Sequence, residues 1–279
     1  MTLPPRRTLV LLVPGALAWL ALAVLAPWQS ASETTSVDTV SSMLGWGLWV
    51  AATIAVLVPS AVSLTCVRYV SPLSVGIAIV AADPWASAAA AIVLVVVATS
   101  RFADLMVQGG AYGDEQRFCL RTPVPYMVPA ALVWAAHSGS ILTGVVACAA
   151  GSWPLGITMV VLGAALTVTV PRRLHRLARR WLVVVPAGVV VHDHLVLAET
   201  FMVRRGAVSA VTVATGPSGA ADLTGGVAGA RLEISLSSPE KVILSEITAR
   251  LAKTTGALHV STFAVAPRRL GAFLAAARL

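Results

Sequence analysis

The sequence predicts an α-helical membrane bundle of six crossings, followed by a small, mostly β domain that one helix closes. Hydrophobic residues make up 57% of the 279 residues, charged residues only 11%, and the mean hydropathy is +0.85. Apolar runs recur as far as residue 170, and β-branched runs separated by turn residues follow from residue 181. Such a chain cannot cover itself with polar groups in water, so lipid must be part of its solvent.

The first crossing is expected at 8–28, directly after Arg6 and Arg7. Its apolar stretch is longer than the roughly 7–15 residues of a signal-peptide core, so an uncleaved membrane helix is expected. Three further runs exceed the roughly 17 residues that a span needs, and they cover 43–67, 124–149 and 153–170.

The stretch 67–100 decides the number of crossings. Asp83-Pro84-Trp85 is a turn signal with proline at a possible first helical position. Two helices at 68–83 and 84–100 give six crossings; one kinked helix gives five, and a re-entrant pair is a further alternative. Six crossings place all basic residues before 181 in the cytoplasm, namely Arg6, Arg7, Arg68, Arg101, Arg117, Arg121 and the cluster in 171–180. The outer loops then contain the charged residues Glu33, Asp38 and Asp83 and no basic residue. The positive-inside rule therefore favours six crossings.

Five arginines follow the last predicted crossing: Arg172, Arg173, Arg176, Arg179 and Arg180. Pro171 suits the first position of a helix, on which Leu174, Leu177 and Trp181 share one face. Such a helix lies in the membrane interface, so the five arginines are predicted to contact anionic lipid headgroups. The alternatives are that they only determine topology, or that the helix continues the last crossing into the cytoplasm. The net charge of +8 therefore indicates an anionic lipid surface, not nucleic acid.

The longest polar connection of the bundle, 101–123, is the candidate functional loop. Its residues of interest are Tyr112, Gly113, Asp114, Glu115, Arg117 and Arg121. The opposite charges could pair and hold the loop against the bilayer or the soluble domain. Alternatively, the adjacent carboxylates could bind a divalent cation.

His137 is the buried polar candidate within 124–149, either hydrogen-bonded to a neighbouring helix or part of a proton relay. His192-Asp193-His194 is the most metal-like triplet of the chain. On a strand its two histidines face one side and its aspartate the other, so no metal site is predicted.

The β domain is expected to begin with a hairpin, 182–185 and 189–191, around Pro186-Ala187-Gly188. Further strands are predicted at 195–197, 201–204, 208–213 and 257–263, with a second hairpin of 231–236 and 241–244 turning at Ser237-Ser238-Pro239-Glu240. A terminal helix from Pro267 carries Leu270, Phe273, Leu274 and Ala277 on one face. These short strands closed by one helix outline a pleckstrin-homology-like barrel.

The segments AYGDEQRFCLRTP (111–123) and RRWLVVVPAGVVVHD (179–193) resemble segments of actinobacterial multi-pass membrane proteins of unknown function. The resemblance implies an alanine-rich bundle with a C-terminal domain similar to bacterial pleckstrin-homology-like modules. It implies no activity and no catalytic residues.

Motifs for catalysis or cofactor binding are missing from the sequence, which contains no G-x-S-x-G, Walker A or H-E-x-x-H pattern. We therefore expect a non-enzymatic plasma-membrane protein without a cofactor, whose N-terminus and domain 181–279 are cytoplasmic. It would act as a scaffold or adaptor that presents the domain to a protein partner or to the inner leaflet. The alternatives are a small-solute transporter, or a subunit of one, that uses His137, and a membrane-lipid-modifying enzyme that uses Asp114 and Glu115.

Overall fold

The computed structural model describes residues 6–29, 35–216, 218–254 and 256–277, without the side chains of 6–9 and 11. The predictions for the Arg6 and Arg7 side chains and for Glu33 lie outside the described residues. The chain forms two compact units: Met1–Met106 with Ala131–Leu174, and Val107–Ala130 with His175–Leu279. The second unit therefore takes in 107–130, which the sequence assigns to the bundle and its loop.

The first unit is helical. Its helices, three of which continue into the second unit, are α1 (Arg6–Leu25), α2 (Thr35–Leu57), α3 (Ala61–Val80), α4 (Pro84–Ala98), α5 (Ser100–Gln108), α6 (Val124–Ala149), α7 (Trp153–Thr167) and α8 (Val170–Ala178). Helices α2, α3 and α6 are long and apolar enough to cross a membrane. Five candidate spans result if the bent pairs α4–α5 and α7–α8, at 63° and 42°, each count as one. The helices are thus compatible with a membrane protein, and six crossings stay a prediction.

The break at Asp83-Pro84 is confirmed. Oδ1 of Asp83 accepts hydrogen bonds from the backbone N–H groups of Trp85 and Ala86 at 2.9 and 3.0 Å, and Pro84 begins α4. These contacts satisfy donors that the first turn of a helix cannot pair internally.

The preceding boundary differs from the prediction of spans at 43–67 and 68–83. Helix α2 ends at Leu57, and α3 begins at Ala61 after Ser60, whose hydroxyl caps the N–H of Ser63 at 3.0 Å. Arg68 consequently lies inside α3 instead of in a loop between two helices.

Small residues allow helices α6 and α7 to approach closely. A Cβ atom added to Gly144 would lie 2.6 Å from the backbone nitrogen of Val160, and one added to Gly156 would lie 2.4 Å from Sγ of Cys148. Glycine at such positions is the usual way in which helices pack in lipid.

The second unit contains two four-stranded sheets. Its strands are β1 (Gln116–Cys119), β2 (Arg180–Val185), β3 (Gly188–Asp193), β4 (Phe201–Arg204), β5 (Val208–Ala214), β6 (Ala221–Asp222), β7 (Arg231–Ile243) and β8 (Ala257–Val265). The first sheet has the order β1-β2-β3-β4, and the second has the order β5-β7-β8-β6 with β6 parallel to β8. The described strands form no closed barrel, so that part of the prediction is wrong.

Two further strand predictions need correction, whereas the hairpin of β2 and β3 is confirmed. The segments 231–236 and 241–244 are not a hairpin but one strand, β7, which pairs with β8 on both sides of an irregularity between Ser235 and Glu240. Residues 195–197 form no strand of either sheet; Leu197 makes an isolated bridge to Leu244.

One hydrophobic core lies between the two sheets, and α9 (Glu246–Leu251) and α10 (Leu270–Ala277) contribute to it. Phe201 of the first sheet packs edge-to-face on Phe263 of the second, with ring centroids 5.2 Å apart. Phe118 of β1 packs in the same way on Phe273 of α10 at 5.5 Å. The predicted terminal helix is thus confirmed, with Phe273 and Ala277 buried.

Candidate functional site: a cationic cleft beside a basic helix

A buried ion pair fixes the strands that carry the site. Arg180 and Asp193 are cross-strand partners in β2 and β3, and their side chains are 1% and 0% exposed. Arg180 donates from Nε to Oδ1 of Asp193 at 2.8 Å and from Nη2 to Oδ2 at 2.7 Å. It also donates to the carbonyl oxygens of Arg121 and Thr224. The prediction that Arg180 contacts lipid headgroups is therefore wrong, because its charge is enclosed and paired.

The turn before β1 is closed by Glu115. Its Oε1 accepts hydrogen bonds from the backbone N–H of Tyr112 at 2.6 Å and from Nε and Nη2 of Arg117 at 3.1 and 2.5 Å. Gly113, with φ of +60°, adopts the left-handed conformation that the turn requires. Asp114 is exposed, so the two carboxylates have different surroundings. This arrangement uses Glu115 to hold Arg117 and does not favour a shared cation.

Beyond β1, the loop is also bound to the C-terminal part of the chain, as one of the sequence alternatives expects. The Arg121 guanidinium donates to the carbonyl oxygen of Ala228 at 3.0 Å and also to that of Ala230. Its backbone N–H donates to the carbonyl oxygen of Ala266 at 2.8 Å. Arg121 thus joins β1 to the glycine-rich segment before β7 and to the end of β8.

A cleft of about 440 Å³ opens on the face of the first sheet that points away from the core. The Trp181 ring stacks on the ring of His192, its cross-strand partner, with centroids 4.8 Å apart and planes 16° apart. The Arg117 guanidinium lies over the same indole, with Cζ 5.4 Å from the ring centroid. Arg179, Glu115 and three valines, Val183, Val185 and Val190, complete the lining.

The pKa values of the two histidines beside this cleft are lowered. Burial, with the charges of His194, Arg179 and Arg117, lowers the pKa of His192 to about 4, although Asp193 acts in the opposite direction. Burial and the charges of Arg179 and Arg176 also lower the pKa of His194, again against the effect of Asp193. Both rings are thus partly buried next to arginine side chains, and both effects disfavour their protonated forms.

Helix α8 carries the basic residues that the sequence assigns to the headgroup region. Arg172, Arg173 and Arg176 are exposed, and their side chains make no hydrogen bond or ion pair with the described residues. Arg179 follows the helix and belongs to the cleft. The spacing predicts Trp181 on the apolar face of this helix, and that prediction is wrong. The helix ends at Ala178, and Trp181 lies in β2, which begins at Arg180.

His137 bridges three helices of the first unit. Its Nδ1 lies 2.8 Å from the Tyr69 hydroxyl of α3, and its Nε2 lies 2.8 Å from Oγ1 of Thr167 of α7. Since the Thr167 hydroxyl donates to the carbonyl oxygen of Gly163, it accepts from Nε2–H, and Nδ1 accepts from Tyr69. The expected bond to a neighbouring helix is confirmed; a proton relay stays a prediction.

Sequence reasoning missed the group of Arg117, Trp181 and His192. Its only local signal is that Trp181 and His192 lie at equivalent distances from the Pro186-Ala187 turn, which makes them cross-strand partners in a hairpin. The described residues contain no group of three His, Cys, Asp or Glu side chains that could hold a metal ion.

These features define the chain as an apolar helical unit joined to a two-sheet unit with a cationic cleft. None of the protein-family models, curated proteins or solved structures with which the chain was compared matches it.

Proposed function

We propose that this protein is a non-enzymatic scaffold of the plasma membrane, whose helices anchor a cytoplasmic domain at the inner leaflet. The domain would present its surface to a protein partner or to the leaflet. We take the domain to be pleckstrin-homology-like, with which two mainly antiparallel sheets and a C-terminal helix that packs on their core agree.

The connectivity of the chain is the observation that carries this proposal. Strand β1 lies between α5 and α6, and a single residue, Arg179, separates the end of α8 at Ala178 from the start of β2 at Arg180. The domain is thus joined to the helices by three short connections, whereas a module on one flexible linker could leave the surface. Anchoring therefore agrees better with a permanent scaffold than with a domain that is recruited and released.

The exposed arginines of α8 supply the attraction to the leaflet, since each cation near an anionic surface contributes about 1 kcal/mol. The test uses the full-length protein in nanodiscs of phosphatidylcholine with and without phosphatidylglycerol. Native mass spectrometry then measures which lipids stay bound. The variant R172Q/R173Q/R176Q should lose most of the phosphatidylglycerol enrichment. The matched variant R204Q/R205Q, which changes two exposed arginines at the end of β4, should keep it.

Equal losses in both variants, or no enrichment in the natural protein, would refute the role of α8. Crosslinking in native membranes tests the partner, and a result with neither a partner nor lipid enrichment would remove the scaffold proposal.

Labelling of Trp85→Cys, in a protein whose natural cysteines are replaced, tests the topology. Six crossings require that this position, 76% exposed, reacts with a reagent added from outside.

A further inference from the structure

The cleft carries an uncompensated positive charge. Glu115, its lining carboxylate, is already bound to Arg117. The nearby carboxylate of Asp193 is buried in its pair with Arg180. Arg179, by contrast, has no carboxylate partner among the described residues; its Nη2 lies 3.4 Å from Nε2 of His192. One full positive charge therefore remains next to the cleft.

The same region offers unused hydrogen-bond donors. Because a guanidinium only donates, Nε2 of His192 accepts from Arg179, and its proton is on Nδ1, 3.1 Å from Oγ1 of Thr200. His194 lies with its ring centroid 4.5 Å from that of His192 and is exposed. Neither ring nitrogen of His194 has a hydrogen-bond partner in the part of the chain that the structure describes. Arg179 and His194 can thus both donate to an added anion.

The remainder of the cleft is apolar. Val183, Val185 and Val190 line it, and Trp181 is only 7% exposed beneath Arg117. A cation would be repelled by Arg179, and a small hydrated anion would leave the valines without a partner. An anion that is joined to an apolar group uses both parts of the cleft.

We propose that the cleft binds the phosphate of a phosphomonoester lipid, with Arg179 and His194 contacting the phosphate and the three valines contacting the adjoining apolar part. A phosphomonoester takes a second negative charge near neutral pH and has three acceptor oxygens, which suits an arginine beside two imidazoles. A phosphodiester headgroup has only one negative charge and fits less well. The inference rests on the proposed function in one respect, namely that the cleft is accessible from the inner leaflet.

The experiment compares two headgroups on the full-length protein. Nanodiscs of phosphatidylcholine contain a small, equal fraction of phosphatidic acid or phosphatidylglycerol, and native mass spectrometry measures the bound lipid. The natural protein should retain one phosphatidic acid in preference to phosphatidylglycerol. Arg179→Gln and, separately, His194→Gln should lower the affinity for phosphatidic acid about 10- to 100-fold, as expected for a hydrogen bond to a charged group.

Arg172→Gln is the matched control. It removes an exposed arginine of α8, so it should weaken the binding of both lipids equally and leave their ratio unchanged. A second arm adds inorganic phosphate to nanodiscs of phosphatidylcholine alone. Saturable binding that Arg179→Gln abolishes, without any preference for phosphatidic acid, would assign the same chemistry to a soluble phosphomonoester.

The proposal is overturned if the preference persists in both cleft variants, or if neither phosphatidic acid nor phosphate binds saturably. Hydrogen exchange of β2 and β3 confirms that the variants remain folded. The two proposals fail separately. A phosphatidylglycerol enrichment that persists in R172Q/R173Q/R176Q would contradict only the role of α8, whereas an unchanged lipid ratio in Arg179→Gln would contradict only the role of the cleft.

Discussion

Removal of the Asp193 carboxylate should be among the most damaging single changes in the second unit. In Asp193→Ala, the buried Arg180 guanidinium loses both bonds of 2.7–2.8 Å to its partner. Loss of one partner of a buried ion pair costs about 3–5 kcal/mol. Arg180 keeps the carbonyl oxygens of Arg121 and Thr224 as acceptors. We therefore expect the lower end of the range, about 3 kcal/mol.

Hydrogen exchange of the full-length protein in nanodiscs measures this loss locally, because exchange reports the opening free energy of each segment. A decrease of about 3 kcal/mol corresponds to an approximately 100-fold loss of protection for the amides of β2 and β3. Peptides from α6 within the first unit should be unchanged and serve as an internal reference.

Glu246→Gln is the matched control, since it also removes the carboxylate of an Arg–carboxylate pair. That pair, Glu246 with Arg250, is exposed, with side chains 79% and 78% accessible. Its loss should cost no more than about 0.5 kcal/mol. If Asp193→Ala changes protection as little as Glu246→Gln does, the buried pair does not stabilise the sheet and the reasoning is refuted.

Three further predictions concern the same unit. Phe118→Ala removes a core side chain that β1 supplies, and it should lower the stability by about 3–5 kcal/mol, measured by the same exchange experiment. Gly188→Ala would place a Cβ atom 2.0 Å from the carbonyl oxygen of Val203, so it should destabilise the hairpin, whereas Gly206→Ala meets no atom within 4 Å and should not. The depressed pKa of His192, about 4 against an ordinary 6.5, means that the unfolded state binds its proton first. The stability of this unit should thus decrease as the pH falls from about 6.5 to about 4, and His192→Gln should reduce this pH dependence.

Local signals predicted the elements whose partners are near in sequence. Asp83 and Pro84 supply a cap and a first-turn proline, and the structure uses both. The Pro186-Ala187 turn likewise joins two β-branched runs that pair residue by residue. The boundary at Ser60 was missed because residues 43–67 carry no charge and are mostly apolar, although Pro59-Ser60 is itself a stop and start signal.

The failures concern interactions that are distant in sequence. Strand β1 is short and polar at its start, and three helices, α6, α7 and α8, separate it in sequence from its partner β2. No periodicity can reveal such a pairing. Pro239 indicated a turn, but the irregularity between Ser235 and Glu240 accommodates it within one strand, as bulges allow. For Arg180, a run of arginines indicated a solvated surface, and only the cross-strand position of Asp193 shows that one of them is internal.

The position of β1 has a consequence for biosynthesis. The ribosome synthesises β1 before helices α6, α7 and α8. It synthesises β2, the strand with which β1 pairs, only after them. At roughly 5–20 residues per second, β1 waits several seconds without a partner. In the proposed six-crossing topology, α6 and α7 must enter the membrane during this time and return the chain to the side where β1 remains. That topology implies that the first sheet closes only after α6 and α7 have been inserted correctly, so a failed insertion would leave an incomplete domain that quality-control proteases can degrade.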